Sequence, residues 1–135
     1  MRVYKILKEI EIQAKKELLP IVGPEKGKVL AEMMKKNKPR RILEIGTLVG
    51  YSAILMAENL PEGGEIITLE VSQPSFEMAK KNIQKSGLED KIKIIFGSAL
   101  EIIPTLQGEF DFVFIDAVMK EYLQYLKAVE PKLSA

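Results

Sequence analysis

Four short runs of strand-forming residues, at positions 41–45, 65–70, 91–96 and 110–116, recur along the chain among segments of helical periodicity. No other feature narrows the fold as far. Strands joined through helices pair in parallel, with right-handed crossovers. The run Phe112-Val113-Phe114-Ile115 is apolar throughout, as expected of a strand covered on both faces. The expected class is α/β. Ligands on such sheets bind beyond the carboxyl ends of the strands. Those ends are Glu44-Ile45-Gly46, Glu70, Gly97-Ser98 and Asp116.

Val3, Ile6, Leu7, Ile10, Ala14 and Leu18 predict a first helix, closed by Pro20. A second is expected from about Glu25 to Lys36, with Val29, Leu30, Met33 and Met34 inward and Asn37-Lys38-Pro39 as its stop. Further helices are expected over Tyr51–Leu60, Pro74–Lys85 and Glu121–Val129, the last with Tyr122, Leu126 and Val129 inward. The 135 residues suit a single domain, with 1–38 as N-terminal helices and 39–135 as the alternating β/α core.

The chain has no cysteine and no histidine. Disulfides, thiolate or imidazole metal ligands, a Cys nucleophile and a Ser-His-Asp triad are therefore excluded within it. Proton chemistry falls to Asp, Glu, Lys or Tyr. The 20 basic and 19 acidic residues leave a net charge of +1 with no basic stripe, which argues against nucleic acid as a partner. No apolar run is long enough to span a bilayer, and the charged N-terminus lacks a signal-peptide core. A cytoplasmic location, with no membrane partner, is expected.

Glu44-Ile45-Gly46-Thr47-Leu48-Val49-Gly50-Tyr51-Ser52 combines a strand end, a glycine turn and a helix start. Leu48 stands where the dinucleotide fingerprint needs glycine, and no Gly-Lys-Ser/Thr follows, so neither phosphate-binding pattern is present. An ordinary strand-to-helix turn would read the same way. Glu70, ending the second strand, is suited to accept hydrogen bonds from both hydroxyls of a ribose, or simply to face solvent. Asp116 is suited to bind a cation or a ligand amine, or to cap the next helix.

Taken together, these segments resemble the class I S-adenosylmethionine-dependent methyltransferases. More narrowly, they resemble the cation-dependent O-methyltransferases of the catechol and caffeoyl-CoA type. The pieces that carry the likeness are LEIGTLVGYSAILMA, PIVGPEKGK, KNIQKSGLEDKI and FDFVFIDA followed by Tyr122. The resemblance implies a Rossmann-like parallel sheet, here short of the family's length after the fourth strand and its helix. It implies that Val22 packs on the methionine part of S-adenosylmethionine. Glu44, Gly46, Thr47, Leu48, Gly50 and Ser52 would line the methionine and ribose pocket. Glu70 would hold the ribose hydroxyls, Val71 would flank the adenine, and Gly97, Ser98 and Ala99 would edge it. The family often has Asp where Ser98 stands. Asp116 would touch the cofactor and be the first ligand of Mg²⁺. The family's catalytic Lys sits three residues after that Asp, in an Asp-Ala-Asp-Lys pattern. Here Val118 and Met119 fill the last two positions and Lys120 comes one step late.

The activity implied is methyl transfer to a hydroxyl of a small molecule, with Lys120 and Asp116 as catalytic residues. The alternative is a cofactor-binding module or interaction protein with little or no catalysis. A nicotinamide oxidoreductase ranks third, because Leu48 breaks its fingerprint. With nothing after the last helix to cover the fourth strand, residues 110–115 are expected to form an open edge. A homodimer or higher oligomer is expected to bury it.

Overall fold

The computed structural model describes residues 2–116 and 119–134, with the side chains of 119 and 120 outside the description. The elements run α1 (Arg2–Glu17), α2 (Gly23–Asn37), β1 (Arg41–Ile45), α3 (Tyr51–Glu58), β2 (Glu65–Glu70), α4 (Gln73–Ser86), β3 (Ile92–Phe96), α5 (Ala99–Ile102), β4 (Phe112–Ile115) and α6 (Met119–Val129). The strands form one parallel sheet in the order β3-β2-β1-β4. The first strand in the chain is thus interior, with β2 on one side and β4 on the other. Glu44 stands opposite Thr68 on one neighbour and Phe114 on the other.

Successive strand residues point to opposite faces, and both faces are apolar. Ile42, Ile66 and Ile92 pack with Ile6, Ile10, Leu30, Met34, Ile54 and Ile83 of the helices on one side. Leu43, Ile45, Ile67 and Leu69 pack on the other with Ile103, Phe110 and Val129. Glu44 and Thr68 lie on the Ile42 face and are as fully buried as their apolar neighbours.

Several expectations need correction. Helix α2 begins at Gly23, so Pro24 sits in its first turn, where a missing N–H costs little. Its buried stripe is Gly27, Leu30 and Met34, leaving Val29 and Met33 exposed. Gly27 sets this face: a Cβ there would lie 3.0 Å from Leu55 of α3 and 3.7 Å from the Tyr51 ring. In α6, Val129 is buried and Tyr125 and Ala128 pack against the core, while Tyr122 and Leu126 stay partly exposed. The β3–β4 crossover contains α5 and a 3₁₀ turn over Ile103–Thr105, which the sequence reading does not include.

The open-edge expectation also changes. Phe110 is fully buried, with the Arg41 guanidinium 4.3 Å from its ring centre. The chain returns to it: Phe110 N–H donates to Lys132 O at 2.7 Å and Ser134 N–H to Phe110 O at 2.9 Å. Phe110 and Leu133 thereby form a parallel bridge. Of residues 110–115, the strand Phe112–Ile115 remains without a second strand partner among the described residues, as does β3 at the other edge. On the β1 side, the Asp111 carboxylate accepts the Arg40 and Arg41 amides at 2.9 and 3.0 Å, and the Asp111 N–H donates to Arg41 O at 3.0 Å.

Candidate cofactor cleft

The cleft is assembled from the turns that leave β1, β2, β3 and β4. After β1, Gly46 and Thr47 donate their amides to Leu69 O at 2.9 and 3.2 Å, pinning the loop onto β2. Gly46 takes φ +97°, and a Cβ there would collide with the carbonyl oxygen of Asp116. Glycine is required by both conformation and space. Asp116 N–H in turn donates to Ile45 O at 2.9 Å, so the ends of β1 and β4 are locked together.

Leu48 adopts φ +52°, an uncommon conformation for a branched residue. Its amide donates to Glu70 Oε1 at 2.7 Å, while Ser72 N–H donates to Oε2 at 3.0 Å. Each carboxylate oxygen of Glu70 is held by one backbone amide and retains capacity for another donor.

These turns enclose a cleft of about 450 Å³, lined by Gly46, Leu48, Glu70, Val71, Gly97, Ala99 and Asp116. Pro20, together with Glu121 and Tyr125 of α6, also borders it. A narrow recess joins Ile21, Val22, Thr47, Leu48, Ser52 and Asp116. Ten of the expected residues therefore converge: Val22, Gly46, Thr47, Leu48, Ser52, Glu70, Val71, Gly97, Ala99 and Asp116. Glu44 lies buried behind Ser52, which donates to its Oε2. Gly50 lines neither space; it starts α3 at φ +91°, against Ala79 of α4. Ser98 precedes α5 and also stands off the lining. The Lys120 side chain lies outside the described residues. Glu121 and Tyr125 are additions, linked by a 3.3 Å hydrogen bond from the Tyr125 hydroxyl. Their i,i+4 spacing at the start of the last helix was the signal available in the sequence.

The cleft is acidic. Burial pushes the Glu44 carboxyl up to about 7 from an ordinary 4.5; hydrogen bonds from Ser52 and Thr68 oppose this, and the charges of Asp116 and Glu70 add to it. Asp116 is also raised, first by burial; Lys26 of α2 pulls it back and Glu70 pushes it further. Behind the recess, the Tyr51 hydroxyl is raised by burial and by its 2.5 Å hydrogen bond to Glu11. An acidic pocket built on glycine turns and one anchored carboxylate suits a positively charged ligand bearing vicinal hydroxyls. Among the described residues, no three His, Cys, Asp or Glu side chains come together where they could share a metal ion.

Comparison with known proteins agrees with this geometry. Residues 2–131 match the family model described as O-methyltransferase. A catechol O-methyltransferase of Niastella koreensis is 41% identical over 110 residues, which cover 78% of this chain and 50% of that protein. Its counterpart from Mycobacterium tuberculosis is 38% identical over 107 residues, 78% of this chain and 49% of that protein. The chain spans about half the length of these curated relatives. The crystal structure of an O-methyltransferase from Bacillus cereus in complex with SAH superposes with a TM-score of 0.88 at 33% identity. The match covers 96% of this chain and 62% of that one. The parallel sheet is therefore the Rossmann-like sheet of these enzymes.

Proposed function

Because this chain belongs to the O-methyltransferase family, we propose that residues 1–135 act as one unit that binds S-adenosylmethionine and its demethylated product, SAH, and serves methyl transfer to a hydroxyl of a small molecule. The observation that carries the reading is Glu70, fixed through both oxygens by the Leu48 and Ser72 amides beside the glycine turn at Gly46. A carboxylate held in this way is preorganised for two ribose hydroxyls. When bound, S-adenosylmethionine supplies an electrophilic methyl group on a positively charged sulfur. Gly46 lets the backbone approach the ligand, and Val22, Thr47 and Ser52 face its amino-acid end. Val71, Gly97 and Ala99 flank the adenine, with Gly50 and Ser98 acting from behind through the turns they form. Asp116 and Lys120 are the proposed catalytic residues: Asp116 borders both the cleft and the recess, and Lys120 rests on the family resemblance alone.

Replacing Glu70 with Ala is expected to weaken binding of SAH by about 1–3 kcal/mol, since a charge-assisted acceptor for two hydroxyls is lost. Isothermal calorimetry measures it directly. Unchanged affinity would remove the ribose assignment.

Among the described residues, none joins Asp116 to complete a set of ligands for a divalent cation. Mg²⁺ needs several oxygen ligands, and the described residues gather no such set. Calorimetric titration of this chain with Mg²⁺ is expected to show no tight binding. Tight binding that disappears in Asp116→Ala would overturn that expectation. The second reading is a cofactor-binding module or interaction protein with little or no catalysis. Turnover with a catechol-type acceptor and Mg²⁺ separates the two.

A cytoplasmic setting is part of the proposal; no helix among the described residues is long and apolar enough to cross a membrane. So is self-association of this 135-residue chain. Phe112–Ile115 has a strand partner on one side only among the described residues, and apolar edges recruit further strands. Light scattering is expected to report a dimer or larger species, and Val113→Lys to shift it toward monomer. A monodisperse monomer at high concentration would contradict this.

A further inference from the structure

We propose that Thr68 is a positioning residue of the cleft: through a chain of hydroxyls it holds Glu44 ready to meet a ligand's positive charge, and that encounter releases the Glu44 proton to solvent. The inference rests on the cofactor-binding reading above and concerns residues that line its recess or lie behind it. Glu44 and Thr68 are fully buried, and Thr47 and Ser52 nearly so. Thr68 stands directly opposite Glu44 in the β1–β2 register, so both side chains share one face of the sheet. Valine or isoleucine would suit a buried strand position equally well. A hydroxyl there needs a partner, and it has two.

Proton counting gives the chain a direction. Thr68 donates its single proton to Glu44 Oε1 at 2.6 Å. The 2.6 Å contact between the Thr68 and Thr47 hydroxyls must then use the proton of Thr47. Ser52 donates to Oε2. With Glu44 ionised, the three hydroxyls therefore point toward it, Thr47 to Thr68 to Glu44 and Ser52 to Glu44. Protonating Glu44 turns one acceptor into a donor, so one hydroxyl must rotate away.

The charges around Glu44 leave it without a counterion. Glu70 at the end of β2 and Asp116 after β4 are both negative and both oppose its ionisation. From α3 it receives only the neutral Ser52 hydroxyl. Lys26 of α2 acts on Asp116. Among the described residues, the side-chain ion pairs are Lys8–Glu11 and Arg41–Glu65, neither of which involves Glu44. Burial alone pushes a lone carboxyl toward its neutral form. The hydroxyl chain counters this, keeping the carboxylate within reach of neutral pH. The cation that completes the balance is the α-ammonium of the ligand's amino-acid end, which S-adenosylmethionine and SAH share, entering the recess beside Thr47 and Ser52.

The test has a ligand-free arm and a binding arm. In the first, carbon-13 NMR follows the Glu44 carboxyl in the free protein as pH is varied. Thr68→Val is expected to move its midpoint up by about one pH unit, and Thr68→Ser to restore it. An unmoved midpoint overturns the proposal. Should Thr68→Val fail to fold, Thr47→Val removes only the outer hydroxyl and is expected to give a smaller upward shift; no shift in that variant overturns the proposal equally. In the second arm, calorimetry with SAH near pH 6.5, in buffers of different ionisation heat, reads the protons released. Wild type is expected to release a fraction of a proton, and Thr68→Val a larger one with its affinity profile displaced to higher pH. Binding without proton release in either protein overturns the coupling. If wild type fails to bind both S-adenosylmethionine and SAH, the cofactor reading falls, while the NMR midpoint still decides the role of Thr68.

Discussion

Gly46→Ala is expected to be the most damaging single methyl group that can be added at the cleft. At φ +97° the added Cβ would drive into the carbonyl oxygen of Asp116. Backbone on both sides of this contact is hydrogen-bonded: Gly46 N–H to Leu69 O and Asp116 N–H to Ile45 O, each at 2.9 Å. Neither partner is the free end of a flexible side chain, so relief requires β1 and β4 to separate at their carboxyl ends. Strained backbone conformation and overpacking each cost about 1–3 kcal/mol, so a loss of about 2–6 kcal/mol is expected in urea denaturation. Gly63→Ala is the control. Gly63 also has a positive φ, +82°, but a Cβ there meets only the Arg40 guanidinium, at 3.5 Å. A Gly46→Ala protein no less stable than Gly63→Ala would show that the contact between the two turns yields easily.

Glu44 makes stability depend on pH in the direction opposite to that of a salt-bridged carboxylate. Its folded value is about 7 against an ordinary 4.5. Between those values the folded protein holds a proton that the unfolded chain has released. Stability from this group is therefore complete below about pH 4.5 and is lost as pH rises through about 7. The expected loss is on the order of 3 kcal/mol. Glu44→Gln keeps the shape and cannot ionise. Its amide accepts from one hydroxyl and donates to the other, which rotates to receive it. The variant is expected to flatten the stability profile between pH 5 and 8 and to exceed wild type at the alkaline end. Urea midpoints across that range give the measurement; parallel profiles for the two proteins would count against the buried ionisation.

What could be read before folding was mostly what glycine and strand ends announce. Gly46 and Glu70 stand at places where a turn and an acceptor are visible from spacing alone, and both reach the cleft. Leu48 illustrates a limit. As leucine it signals no left-handed backbone; the conformation is held by the carboxylate of Glu70, which lies far along the chain. The burial of Val29 or Leu30, and of Met33 or Met34, could not be separated by periodicity, because each pair is adjacent and apolar. The absence of a side chain at Gly27 decides it by letting Tyr51 and Leu55 approach. Helix α5 has four residues, too few to express a period. Thr68 looked like an ordinary strand residue, since its role depends on a register that only the folded sheet defines.

The interior position of β1 has a consequence for the order of assembly. β1 precedes every other strand in the chain, yet it pairs with both β2 and β4. The β1–β2 pair closes a short stretch of chain, whereas β4 must return across the whole intervening sequence. Contacts between distant segments carry the larger loop-closure penalty and form late. Gly46, Leu48 and Glu70 can therefore come together while the segment that carries β4 is still being synthesised, and Asp116 joins them only once β4 has paired with β1. The cleft exists first as half a mould. A ligand that needs both halves has little hold on the nascent chain, and its stabilising effect falls on the final closure.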